Sequence, residues 1–208
     1  MDQPRQRHFY EPAVGHGLAH DPFNAIVGPR PIGWVSTRSI DGVLNLAPYS
    51  FFNAFNYVPP LIGFASIGYK DTVHNAETTR EFCWHLATRA LAEQMNASSA
   101  TVAPDVDEFE LAGLTPRASH IVGVPHVAEA QVAFECRVSD VVRLRSAAGA
   151  EVDCWLTIGE VVGVHIDNEL LVDGIYQTAA AHPIVRGGGS ADYFEIGPDA
   201  LFRMERPR

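Results

Sequence analysis

"RPIGWVSTRSIDGVLNLAPYSFF", residues 30–52, decides the fold. β-branched and aromatic side chains carry it to Thr37, Asp41-Gly42 supplies a tight turn, and a second extended run follows to Phe52. The reading is a β-hairpin. Downstream, "PPLIGFASI" (59–67) reads as a third, well-buried strand introduced by two prolines, and "KDTVHNAETTR" (70–80) as a short helix. Asp71 or Thr72 is expected near its N-cap and Arg80 in its last turn.

The rest of the chain is also rich in strands. "EFCWHLAT" (81–88) alternates with a period of two, as does "QVAFECRV" (131–138), and "CWLTIGEVVGVHID" (154–167) makes a long strand. Gly159 and Gly163 mark bulges or barrel corners in it. "RALAEQMNASSA" (89–100) carries helix formers and predicts a second helix. Trp34, Trp84 and Trp155 fall on strands and are assigned to the core. Antiparallel-compatible strands with short helical insertions predict a mainly β fold, an antiparallel closed or split barrel, in preference to a parallel α/β sheet. The chain divides into an N-terminal arm, residues 1–21, interrupted by Gly15 and Gly17, and a single domain over 22–208.

The chain has 208 residues, with 15 basic against 25 acidic ones and a net charge of −10, which argues against a non-specific grip on nucleic acid or an anionic membrane. Cys83, Cys136 and Cys154 are widely spaced and form neither a disulfide framework nor a zinc motif. The N-terminus lacks an apolar leader, and the longest near-apolar run, residues 58–69, is short of the ~20 residues a membrane span requires, so a cytoplasmic protein is expected.

Chemical motifs are few. Neither GxGxxG after a strand nor GxxxxGK[ST] occurs, and "RGGGS" (186–190) reads as a turn. His16 and His20 have helical metal-ligand spacing, but Gly17 lies between them and no third ligand is near, so no metal site is assigned. No nucleophile motif is present. Small polar residues gather instead at predicted strand ends: Ser36, Thr37, Ser50, Asn53, Ser66, Asp71 and Thr72. Beside them stands Lys70, the single lysine against fourteen arginines. Lysine brings a compact charge on a flexible stem, and with hydroxyls and a helix N-terminus it suits a polyol phosphate.

The blocks "RPIGWVST", "DGVLNLAPYSFF", "PPLIGFAS" with "KDTVHN", and "HPIVRGGGSADY" occur in that order within residues 22–197 and resemble the flavin reductase-like family of FMN-binding split barrels. The resemblance implies an FMN-binding oxidoreductase using NADH or NADPH, usually a homodimer, that serves free flavin, a partner monooxygenase or another small acceptor. It implies flavin contacts from Ser36, Thr37, Ser50, Phe51, Phe52 and Asn53. It implies phosphate contacts from Ser66, Lys70, Asp71 and Thr72, and a role for Arg186 and Tyr193 at the cofactor or the subunit contact. Hydride transfer between stacked rings needs positioning and no side-chain nucleophile, which agrees with the missing motifs. His182 is the candidate catalytic side chain, because Pro183 favours an extended backbone that would direct the imidazole across the flavin. Two other readings stay open: a flavin-binding electron-transfer module, and a flavin-dependent oxygenase of an organic substrate.

Overall fold

The computed structural model describes residues 5–207. The predicted hairpin forms as β1 (Gly33–Arg38) and β2 (Leu44–Tyr49), six residues paired from Gly33↔Tyr49 to Arg38↔Leu44. Its turn is served by Gly42 at φ 93°, a conformation that favours glycine. The chain then makes a strand that the sequence reading stopped short of, β3 (Phe52–Tyr57), which pairs with β4 (Pro60–Ile67). Asn53 and Asn56 depress strand propensity there, and an exposed edge position tolerates them.

After α-helix Asp71–Thr79 come β5 (Glu81–His85), β6 (Val132–Arg145) and β7 (Glu151–Ile166). Among the described residues the main sheet has the order β2-β1-β5-β6-β7-β4-β3, with every pair antiparallel. Its two end strands, β2 and β3, are consecutive in the chain and joined only by Ser50-Phe51. The Ala65 amide donates to the Phe51 carbonyl at 2.8 Å across that joint. The sheet therefore curls back on itself as a split antiparallel barrel.

One hydrophobic cluster fills the barrel, with Val35, Phe64, Phe82 and Trp84 at its centre, and a second lies on the outer face of β1 and β2 around Trp34, Leu46 and Met95. Alternation along β1 sorts the residues between them, Trp34 and Ser36 outward and Val35 and Thr37 inward. Trp34 and Trp84 are core residues as expected. Trp155 packs against the barrel cluster but is only partly buried, its ring lying beneath the Arg143 guanidinium at 5.0 Å and beside Tyr69.

Both glycines of the long strand flank register shifts. The pairing slips between Val138↔Gly159 and Asp140↔Ile158, and again between Glu135↔Gly163 and Cys136↔Val161. Gly159 has a packing reason too: a Cβ there would stand 2.4 Å from the Phe82 ring. The "RGGGS" segment folds onto Asp192, and a Cβ at Gly188 would meet Ala25 at 2.3 Å, so close approach accounts for that glycine.

The helices depart from expectation at their ends. Arg80 lies past the last turn of Asp71–Thr79, capping it in the left-handed region at φ 62°. The helix expected over 89–100 is α-helical only from Ala92 to Ala97, since the Ser98 and Ser99 hydroxyls take the carbonyls of Met95 and Asn96 at 2.8 and 2.6 Å. A further helix, Glu108–Ala112, was not expected. Asp107 caps it by accepting from the Phe109 amide, and Gly113 ends it at φ 67°, so both boundary signals are present in the sequence.

Candidate functional site

In chain order the helices are α1 (Phe23–Ile26), α2 (Asp71–Thr79), α3 (Ala92–Ala97) and α4 (Glu108–Ala112). The N-terminus of α2 opens on a cavity of about 250 Å³ between β2 and the loop that follows α3. Asn45, Tyr49, Lys70, Asp71 and Thr72 line one side of it, and Ser98 to Val102 with Glu108 line the other. Lys70 occupies the N-cap position of α2 in extended conformation, and no side chain caps the helix. The first-turn amides of α2 and the ammonium of Lys70 thus lie at one end of the cavity, the arrangement that favours an anion.

A buried polar layer supports this end. The Asn45 side-chain amide donates to Thr72 Oγ1 at 2.9 Å and to Thr37 Oγ1 at 3.2 Å, and the Asn75 amide donates to Thr37 Oγ1 at 3.2 Å. All four side chains are buried. Tyr49 reaches the same region from inside the barrel, its ring 4.7 Å from that of Phe64. Its hydroxyl is enclosed without a hydrogen bond although the Thr72 and Ser66 hydroxyls lie beside it. Burial pushes the Tyr49 hydroxyl up from its ordinary pKa, those two neighbours opposing the shift.

The cavity also holds carboxylates. Glu108 accepts from the Leu46 amide at 3.0 Å, and burial raises its pKa while that hydrogen bond opposes the rise. Asp71 belongs to the first turn of α2. Hydroxyls, amide donors and a lysine at one end with carboxylates alongside form a donor set that fits a phosphate and a polyol chain together.

Apart from Ser36, the residues singled out from the sequence fall in three places. Lys70, Asp71 and Thr72 line this cavity, with Thr37 one layer behind and Ser66 beside Tyr49, its hydroxyl donating to the Gly68 carbonyl at 2.8 Å. Ser36 is buried on the outer face of β1 and donates to the Pro125 carbonyl at 2.7 Å. Phe51, Phe52 and Asn53 line a separate apolar groove of about 360 Å³, in which the Arg30 guanidinium lies 5.6 Å from the Phe51 ring, while Phe52 stacks on Trp84 at 5.4 Å. Arg30 donates to the Ser50 carbonyl at 3.1 Å.

His182, Arg186 and Tyr193 make the third group. Arg186 stacks over Tyr193 at 4.7 Å, and Tyr193 and Glu195 line a cavity of about 380 Å³ with Arg89 and Met95. The extended backbone expected at His182 is not found. It closes the 3₁₀ turn Thr178–Ala181 in the left-handed region, φ 49°, ψ 52°, and its Nδ1 lies 2.6 Å from a Glu195 carboxylate oxygen. The demand of the turn's end overrides the preference that Pro183 imposes.

Asn45, Tyr49, Ser98 to Thr101 and Glu108 were missed by the sequence reading. Asn45 sits in the quoted hairpin, where an inward asparagine between apolar neighbours is itself a signal of a buried polar partner. The serine-threonine loop carries no signal of that kind, because it meets β2 only in three dimensions.

The comparisons with known proteins bear on the fold and the family. The model of the flavin reductase like domain matches residues 28–184. The uncharacterized protein BH2278 of Halalkalibacterium halodurans is 37% identical over 185 residues, covering 86% of each chain. Component B of nitrilotriacetate monooxygenase from Bacillus cereus is similar in structure, with TM-score 0.80 and 33% identity, covering 88% of this chain and 90% of that one. The 2-nitrobenzoate 2-nitroreductase of Pseudomonas fluorescens has TM-score 0.77 and 27% identity, with coverage of 89% and 88%. Fold, matched span and identity converge: the chain belongs to the flavin reductase-like family.

Proposed function

We propose that this chain binds FMN with its phosphate at the Lys70 end of the cavity, and that it is an NAD(P)H-dependent oxidoreductase delivering reducing equivalents to a small acceptor or a partner oxygenase. One observation carries the reading: in a chain of this family, an uncapped helix N-terminus, the single lysine and a buried hydroxyl layer meet in one cavity. FMN, when bound, supplies the hydride chemistry. The protein binds, orients and shields it, which accounts for a site rich in hydrogen-bond donors and poor in nucleophiles.

Neighbours of known activity support the two kinds of acceptor. A monooxygenase component at 33% identity favours a partner oxygenase, and a nitroreductase at 27% favours an aromatic acceptor, for which the groove of Phe51 and Phe52 is apolar enough. A homodimer in the cytoplasm completes the proposal. Its contact covers the β3–β4 hairpin, where Tyr57 and Val58 are 94% and 87% exposed. Among the described residues no helix is long and apolar enough to cross a membrane.

The test is titration with FMN followed by anaerobic addition of NADH or NADPH. Quenching of flavin emission on binding, then bleaching of its visible absorbance at a rate the protein accelerates, is expected. A protein that leaves FMN emission unchanged ends the flavin reading, and one that binds FMN without accelerating NAD(P)H oxidation ends the reductase reading. Sedimentation that returns a monomer at micromolar concentration ends the dimer.

A further inference from the structure

The charges that line the cavity do not by themselves recruit a phosphate. Lys70 is exposed and shares the cavity lining with two carboxylates, Asp71 and Glu108, which offset its charge. Selection of an anion therefore also needs neutral donors beside Lys70, and these are organised by one residue.

Both hydrogens of the Asn45 amide are spent, one on Thr72 Oγ1 and one on Thr37 Oγ1. An amide N–H only donates, so each threonine oxygen is an acceptor in these bonds. Thr37 also accepts from Asn75. Thr72 therefore receives from behind and has its own proton left for the cavity it lines.

We propose that Asn45 is a positioning residue that fixes the direction of the hydroxyl protons at the α2 end of the cavity, so that this end selects a phosphate monoester over an uncharged hydroxyl. The inference rests on the flavin reading above and deepens it, making Asn45 the determinant of preference for FMN over riboflavin. A carboxylate at position 45 reverses the layer: it accepts from Thr37 and Thr72, draws the Thr72 proton away from the cavity and adds a negative charge.

The experiment compares dissociation constants for FMN and riboflavin, by flavin fluorescence, in the wild type, Asn45→Asp and Thr72→Val. The wild type should prefer FMN. Asn45→Asp should lose about tenfold to a hundredfold in FMN affinity while riboflavin affinity stays within about threefold, as expected for a charge-assisted hydrogen bond lost at the phosphate alone. Thr72→Val, which removes the proton and keeps the shape, should lose about tenfold for FMN only. It carries the test if Asn45→Asp does not fold. A wild-type ratio of FMN to riboflavin affinity retained in the folded variants overturns the inference and leaves the flavin reading intact.

Inorganic phosphate separates the two failures. It should raise the melting temperature of the wild type above that in chloride of equal ionic strength, and not that of Asn45→Asp. Such protection in a wild type that binds neither flavin overturns the flavin reading and sustains the role of Asn45. Equal protection of both proteins overturns that role.

Discussion

Asn45 on β2 and Thr72 on α2 meet side chain to side chain at 2.9 Å, 27 residues apart in the chain. With Thr37 and Asn75 they tie the first turn of α2 to the first hairpin of the barrel. The helix end that faces the cavity is thereby held before any ligand arrives, which limits the ordering that binding must pay for.

Lys70→Ala should weaken FMN binding about tenfold, the lower end expected for a charged hydrogen bond because the lysine is exposed, and should change stability by less than about 0.5 kcal/mol. Lys70→Arg should fall between, since the planar fork matches the position less well than the ammonium. Fluorescence titration beside thermal melts reads both effects. Unchanged FMN affinity in Lys70→Ala removes the phosphate role from this residue.

Arg30 is buried and clamps three segments: its guanidinium donates to the carbonyls of Asn24 and Val27 near α1, Ser50 at the β2–β3 joint and Gly187 in the glycine-rich turn. Arg30→Lys keeps the charge but cannot span four carbonyls, and should cost about 2 kcal/mol or more by leaving buried acceptors unpaired. Denaturant unfolding gives the number. A loss below about 0.5 kcal/mol would show that the clamp is dispensable.

Gly159→Ala places a methyl group 2.4 Å from the Phe82 ring and 3.2 Å from the Arg137 carbonyl, where neither the core ring nor the strand backbone has room to yield. A loss on the order of 2 kcal/mol is expected from overpacking, read by chemical denaturation. Gly149→Ala meets nothing within 4 Å but sits at φ 83°, so its smaller cost arises from backbone strain alone.

Acid should destabilise the fold in two stages. His85 is fully buried, its Nδ1 donating to the Trp34 carbonyl and its Nε2 accepting from the Val127 amide, both at 3.0 Å; burial lowers its pKa from 6.5 to about 3. Between those values the unfolded chain binds the proton and the folded one does not, so stability falls as pH drops below 6.5, by roughly 1.4 kcal/mol per pH unit at most.

Glu135 follows at lower pH. Burial raises its carboxyl, but the amides of His120, Ile121 and Val122 and the ring of His165 donate to it and together bring its pKa from 4.5 down to about 2. Its contribution is present above 4.5 and lost between 4.5 and 2. Melting temperatures across pH 7 to 3 should decline continuously from near 6.5, and His85→Gln should flatten the upper part of that decline.

The hairpin over residues 30–52, the strands with alternating apolar side chains and the helix after Lys70 are legible because each is set by local periodicity and turn chemistry, which neighbouring residues carry. Family motifs pointed to the α2 end of the cavity for the same reason: Lys70, Asp71 and Thr72 are adjacent in sequence. The tertiary structure decided what depends on residues far apart. It turned Ser36 outward to Pro125, brought Ser98 to Val102 against β2, and set His182 in a left-handed turn facing Glu195. Above all it made Asn45 a buried partner of Thr72, since the direction of a hydroxyl proton is fixed by the groups around it in space and by nothing in its own stretch of chain.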